Sequence, residues 1–209
     1  MMTRQATFLL LLFSIIVVLF LLTRDTKPEL KTYQVVIRHP RASNIDMFIG
    51  DWHDSKPRLA FGSLEVRDIL TKCNGDPLQP EKKGAVLTDI NTVSYGILGA
   101  NTATLSSSLN GVQLILYVDS GEGSISTASD TSRLSEGTGI LMPPGIEFTM
   151  KNTSDGQLTM YIIEEPIPDS FRPQQQMVVK NEFDNPISTN IHRANDSREW
   201  LFNRNDGLS

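Results

Sequence analysis

Between Leu59 and Pro166 the chain is cut into short apolar runs by the breaks "NG", "SGEG", "SEG", "PPG" and "SDG". No segment in that span has the length and 3.6-residue period of a surface helix. This rhythm constrains the fold more than any other feature, because two-residue periodicity between turn dipeptides specifies strands. Strands are expected at Leu64 to Leu70, Ala85 to Thr88, Thr92 to Ile97, Thr102 to Ser106, Gln113 to Val118, Ser124 to Ala128, Arg133 to Leu134, Gly139 to Met142, Glu147 to Asn152 and Leu158 to Ile163. Strands so closely spaced make an antiparallel sandwich or barrel, hence an all-β domain. Past Pro166 the rhythm stops, and only "RANDSREWLFNR" suits a short helix.

The first 24 residues have a different character. Ala6 to Leu22 runs 17 residues without a charge and is closed by Arg24, Asp25 and Lys27. That length lies at the short end for a transmembrane helix and beyond a usual signal-peptide core, and no small-x-small cleavage site follows. The segment favours an uncleaved signal anchor over a cleaved signal, with the rest of the chain on the extracytoplasmic side. A helix apolar on every face would be hard to cover inside a 209-residue protein. Residues 25–58 read as an irregular lead-in, 59–166 as the barrel and 167–209 as a connector. Net charge is −5 and the basic clusters are no larger than the pair Lys82 and Lys83, which excludes a nucleic-acid partner. Cys73 is the single cysteine, which excludes an intrachain disulfide and a cysteine zinc cluster.

Residues 111–166 carry a further pattern. Gly137, Pro143, Gly145 and Asn152 stand at the intervals of the second motif of the cupins, and "LYVDSGEG" supplies Tyr117 and Gly121 where that family closes its first motif. The stretch therefore resembles a cupin, a small double-sheeted jelly-roll barrel. The likeness implies a double-stranded β-helix fold and, in metal-binding members, two His and a Glu from the first motif with a third His from the second. Over most of its length the chain also resembles the leading half of two-barrel bacterial cupins. That likeness implies a reading frame continuing past Ser209 into a second barrel, with any catalysis located there.

The implied ligand positions hold other residues. Phe148 occupies the place of the second-motif His, and seven residues back from Gly121 lies Leu114 in the place of the Glu. The remaining positions fall on Leu109 or Asn110 and on Ser107 or Ser108, and Gly99 is out of register for the motif's opening glycine. A one-residue slip puts Gln113 in the Glu place and still gives no ligand set for a transition metal. No metal and no cofactor is expected.

Strand alternation places Leu114, Leu116 and Val118 on one face and Gln113, Ile115 and Tyr117 on the other. Phe148, Met150 and Asn152 likewise oppose Glu147, Thr149 and Lys151. The interior is then apolar: either a filled core or a pocket for a small apolar ligand, with candidate residues Ser107, Leu109, Gln113, Leu114, Leu116, Phe148 and Met150. Elsewhere "GDWHDS" offers at most Asp51, His53 and Asp54, and reads as a solvated loop. Glu164 and Glu165 are adjacent on a strand end, point to opposite faces and cannot form an acid/base pair. Asn152 and Asn195 open glycosylation acceptor triplets. The reading is an exported, membrane-tethered binding or scaffolding module, not an enzyme by itself, with a homodimer allowed. Two alternatives stand: the degenerate half of a two-barrel metal-dependent enzyme, and a metal-independent isomerase or lyase using Gln113, Tyr117 or Ser107.

Overall fold

The computed structural model describes residues 45–185, 201–202 and 204–208. Segment 6–22 and Asn195 lie outside them. Among the described residues no helix is long and apolar enough to cross a membrane.

Among the described residues eleven strands carry the fold: β1 (Arg58–Ala60), β2 (Leu64–Lys72), β3 (Ala85–Leu87), β4 (Thr92–Leu98), β5 (Val112–Ser120), β6 (Gly123–Thr127), β7 (Thr131–Leu134), β8 (Thr138–Met142), β9 (Phe148–Asn152), β10 (Leu158–Pro166) and β11 (Val178–Asn181). Eight form one sheet in the order β1-β2-β4-β10-β5-β8-β11, with β3 pairing β2. The other three form the facing sheet, β7-β6-β9. Isolated bridges Ala103 to Lys151 and Ser107 to Phe148 link the β4–β5 connection to β9. The expected strand over Thr102 to Ser106 is reduced to these two bridges: Thr102 and Thr104 bond β9 at Asn152 and Met150, but the Leu105 N–H turns to the Phe61 carbonyl, and pairing resumes only at Ser107.

Glycines sit where the backbone leaves no room. Gly121 turns at φ 92°, and a Cβ there would run into the Gln157 carbonyl. On Gly123 a Cβ would meet the Lys151 carbonyl. The "SGEG" break is thus a tight turn between β5 and β6, as its composition requires.

One face of each sheet builds the core. Leu64, Val66, Leu98, Leu114, Leu116, Val118, Ile125, Leu134, Ile140, Met142, Phe148, Met150, Leu158, Met160 and Ile162 form one apolar cluster, none more than 2 % exposed. Each such side chain contributes about 1.5–3 kcal/mol on leaving water, so this cluster is the main source of stability. Glu147 and Lys151 lie on the wet face of β9, as alternation demands.

The chain beyond Pro166 departs from the expected end of the strand pattern. Val178–Asn181 pairs antiparallel with β8, extending the large sheet by one strand. Met177 and Val179 pack against the core cluster, and Leu201 and Phe202 cover Gly139 on β8. Lys180 on β11 forms an ion pair with Asp206 at 2.7 Å. This returning segment finds its apolar partner on the barrel itself. The lead-in is also partly ordered: a 3-10 turn spans Ile45–Phe48, and Trp52 stacks on Tyr95 at 4.6 Å.

Candidate functional site

The residues standing where cupin metal ligands would be expected lie close together. Phe148 and Leu114 are each 1 % exposed within the same apolar cluster. Ser107 exchanges backbone hydrogen bonds with Phe148 at 3.0 and 2.9 Å, while its hydroxyl donates to the Leu105 carbonyl at 3.0 Å. Leu109 is half-buried and packs against the cluster. Leu116 and Met150 are fully buried, and the Phe61 ring meets Phe148 edge-on at 5.2 Å. Leu109, Leu114, Leu116, Phe148 and Met150 therefore share one continuous apolar packing. Among the described residues no three His, Cys, Asp or Glu side chains group to hold a metal ion.

Gln113 is set apart from these. It is buried, its Nε2 donates to Glu165 Oε2 at 3.2 Å, and its Oε1 has no partner among the described residues. Tyr117 shares that outward face, where burial first and Glu182 second raise its hydroxyl above the ordinary value. Gln113 and Tyr117 thus look away from Ser107, and the three cannot converge on one substrate.

The "GDWHDS" loop is more organised than a solvated loop. Asp51 Oδ1 accepts from the His53 backbone N–H at 2.9 Å and lies 2.8 Å from His53 Nδ1, and the imidazole stacks on Trp52 at 3.7 Å. The backbone hydrogen bond from His53, followed by its ring, holds the Asp51 carboxyl below its ordinary value. Asp54 instead accepts from Lys83 at 2.8 Å.

The polar groups of the barrel gather elsewhere, on the inward face at the edge of the large sheet. Cross-strand register aligns Asp68, Ser94, Ile162, Leu116 and Ile140 in one row, and Thr71, Thr92, Glu164, Leu114 and Met142 in the next. Residues directly opposite share a face. Glu164 therefore shares the face of Leu114, partly exposed near the end of β10. Arg58, opposite the buried Val66, shares that face but is exposed at the sheet's edge. Its Nε and Nη2 donate to Asp68 Oδ1 at 3.4 and 3.3 Å, and Nη2 lies 3.6 Å from Glu164 Oε1. Ser94, fully buried, donates to the same Asp68 oxygen at 2.9 Å.

A cleft of about 370 Å³ opens beside Asp68. β1 pairs with β2 at residues 64–66 and β3 pairs with the same strand at 71–72, so the stretch between them is left uncovered by either. A register shift between Asp68 and Leu70 falls in that gap. The cleft is lined by Asp68, Ile69 and Thr71 from β2, by Asp51, Asp54 and Lys56 from the lead-in, and by Lys82 and Lys83. Proximity to the lead-in has a backbone cause: Gly50 and Gly84 both approach the Ile69 carbonyl so closely that neither admits a Cβ. The Ser94 hydroxyl donates to the Asp68 carboxylate, and among the described residues no histidine is hydrogen-bonded to it. The arrangement can bind through donors and acceptors. Sequence reading missed it because Asp68 and Glu164 stand 10 and 106 residues from Arg58, joined only through register.

The glycosylation reading of Asn152 also fails on geometry. Its amide nitrogen is buried and donates to the carbonyls of Leu98, Gly99 and Gly156 at 3.0, 3.0 and 2.8 Å.

No family model and no curated protein sequence matches the chain. Solved structures do. A Pseudomonas aeruginosa protein described as glyoxylate-induced matches with a TM-score of 0.50 at 16% identity, over 65% of this chain and 48% of that one. Escherichia coli pirin YhhW, solved in complex with nickel(II), matches with a TM-score of 0.50 at 14% identity, over 64% of this chain and 57% of that one. A cupin 2 barrel protein of Salinispora arenicola matches with a TM-score of 0.41 at 14% identity, over 53% of this chain and 81% of that one. The chain spans about half the length of the first two. At these identities the likeness concerns the fold alone, and the fold is that of the cupins.

Proposed function

We propose that this chain is a cupin-fold binding module that works without a transition metal, and that its ligand site is the polar seam around Asp68. Segment 6–22 supports tethering to a membrane, with the barrel on the extracytoplasmic side. The observation that carries the reading is the exchange of polarity between two places. Phe148 and Leu114, at the positions where the resemblance implies a His and a Glu, are closed into the apolar core. Arg58, Asp68 and Ser94 meanwhile form a hydrogen-bonded group at the seam, with Glu164 ion-paired to Arg58 at 3.6 Å. An imidazole or carboxylate among Leu116, Met150 and Phe61 would be costly without partners, so the interior favours packing over metal ligation. Ion pairs this exposed contribute only about 0–1 kcal/mol each, which makes stability alone a weak reason for gathering two carboxylates and a guanidinium at the sheet edge.

Elemental analysis of the purified full chain tests the reading. No stoichiometric transition metal is expected, and chelator treatment should leave the melting temperature unchanged. About one equivalent of manganese, iron, nickel or zinc per chain, lost together with thermal stability on chelation, would overturn it.

A further inference from the structure

We infer that the seam cleft binds a small, uncharged, hydroxyl-rich molecule, a polyol or monosaccharide; this rests on the seam being the binding site. The lining decides the class. Asp51, Asp54 and Asp68 face Lys56, Lys82 and Lys83, so the formal charges of the cleft cancel. The two signs are interleaved, not divided between opposite walls: within the lining Asp54 contacts Lys83 at 2.8 Å, and Asp51, Asp54 and Lys56 stand together on the lead-in. An anion entering here meets Asp51 and Asp68, a polyamine meets Lys56 and Lys82, and a zwitterion finds no pair of segregated poles. A molecule with several hydroxyls suits both kinds of group, accepting from ammoniums and donating to carboxylates.

Two further features agree. Among the described residues Lys56 and Lys82 have no ion-pair partner, which leaves donors free for ligand oxygens. Arg58 does not line the cleft; its contact with Asp68 at 3.3 Å holds from behind the one carboxylate that the cleft shares with the seam. Ile69 is the one large apolar side chain of the lining, too little for an apolar ligand to leave water. At about 30 Å³ for each water, the cleft has room for a six-carbon polyol and several waters.

The test is a titration of the ¹⁵N-labelled full chain with D-mannitol, D-glucose, oxalate and spermidine, following the amides of Gly50, Ile69 and Thr71. Mannitol or glucose should shift these amides saturably. Asp68→Asn should weaken that binding about tenfold. Because Asp68→Asn also disturbs Arg58 and Ser94, Lys82→Met is measured beside it; that side chain is exposed, the fold should be unaffected, and binding should still weaken measurably. Oxalate or spermidine shifting the same amides with the same dependence on Lys82, while the polyols do nothing, would overturn the ligand class and leave the seam as the site. Polyol shifts confined to other residues, or no response of the seam amides to any of the four probes, would overturn the site and the ligand class together.

Discussion

Replacing Phe148 with histidine restores the side chain that the cupin motif implies at that position, and the packing says the protein should suffer for it. Phe148 is 1 % exposed, in the cluster with Leu114, Leu116 and Met150, and takes the edge of Phe61 at 5.2 Å. Full burial of a phenylalanine is worth about 1.5–3 kcal/mol, most of which an imidazole forfeits. The imidazole adds a donor and an acceptor with nothing to bond, because the backbone groups at this position are already paired with Ser107. An unsatisfied buried polar group costs a further 1–3 kcal/mol or so. The expected loss is about 3–5 kcal/mol, against a total of about 5–15 kcal/mol for a domain of this kind. With a urea slope near 2 kcal/mol per molar, the midpoint should fall by about 1.5–2.5 M. Trp52, stacked on Tyr95, supplies the fluorescence signal. Phe148→Met, apolar and adaptable, should cost about 1.5 kcal/mol or less and separates polarity from shape. If Phe148→His unfolds at the same urea concentration as the parent, the position is open to water or ligand and the filled-core argument fails.

Asn152→Ala removes a buried amide from three carbonyls and should cost about 2–4 kcal/mol in the same titration. Expressed through a eukaryotic secretory route, the folded chain should carry no glycan at Asn152, and mass spectrometry would reveal one. Asp51 is held below its ordinary value, about 3.9, by the His53 hydrogen bonds. Its contribution to stability is therefore present above that value and is lost as pH falls through the lower folded one. Asp51→Asn should flatten the acid limb of the stability curve below about pH 4, by a small amount that salt reduces further.

Most strands were legible because turn dipeptides bracket them and their inward residues alternate: Leu114, Leu116 and Val118 behave as period two requires. Where the reading failed, the deciding contact was distant in sequence. Val178–Asn181 becomes a strand by pairing with β8, some forty residues earlier, and its own four residues carry no turn signal. Arg58–Ala60 is too short to show a period and exists through β2. Gln113 obeys alternation yet is buried, since burial on the outer face depends on Glu165 and not on its neighbours in β5. Glu164 and Glu165 were correctly read as opposed, but which of them faces the interior follows from the pairing of Glu164 with Leu114. The seam group was invisible for the same reason, because Arg58, Asp68 and Glu164 meet only after three strands have paired in register.

The position of β10 within the large sheet sets how the chain can fold in time. β10 lies between β4 and β5, strands that precede it by some forty to seventy residues, and pairs with both over most of their length. Until Leu158–Pro166 leaves the ribosome, β4 and β5 each have an unpaired edge flanked by apolar side chains such as Leu98, Leu116 and Val118. Closing such long loops must precede the contacts that reward it, which places folding in the millisecond-to-second range of non-local β topologies. Nascent chains ending before residue 158 should accordingly be captured by chaperones or aggregate. Synthesis of the nine residues of β10 then converts two exposed edges into the centre of the sheet in a single step.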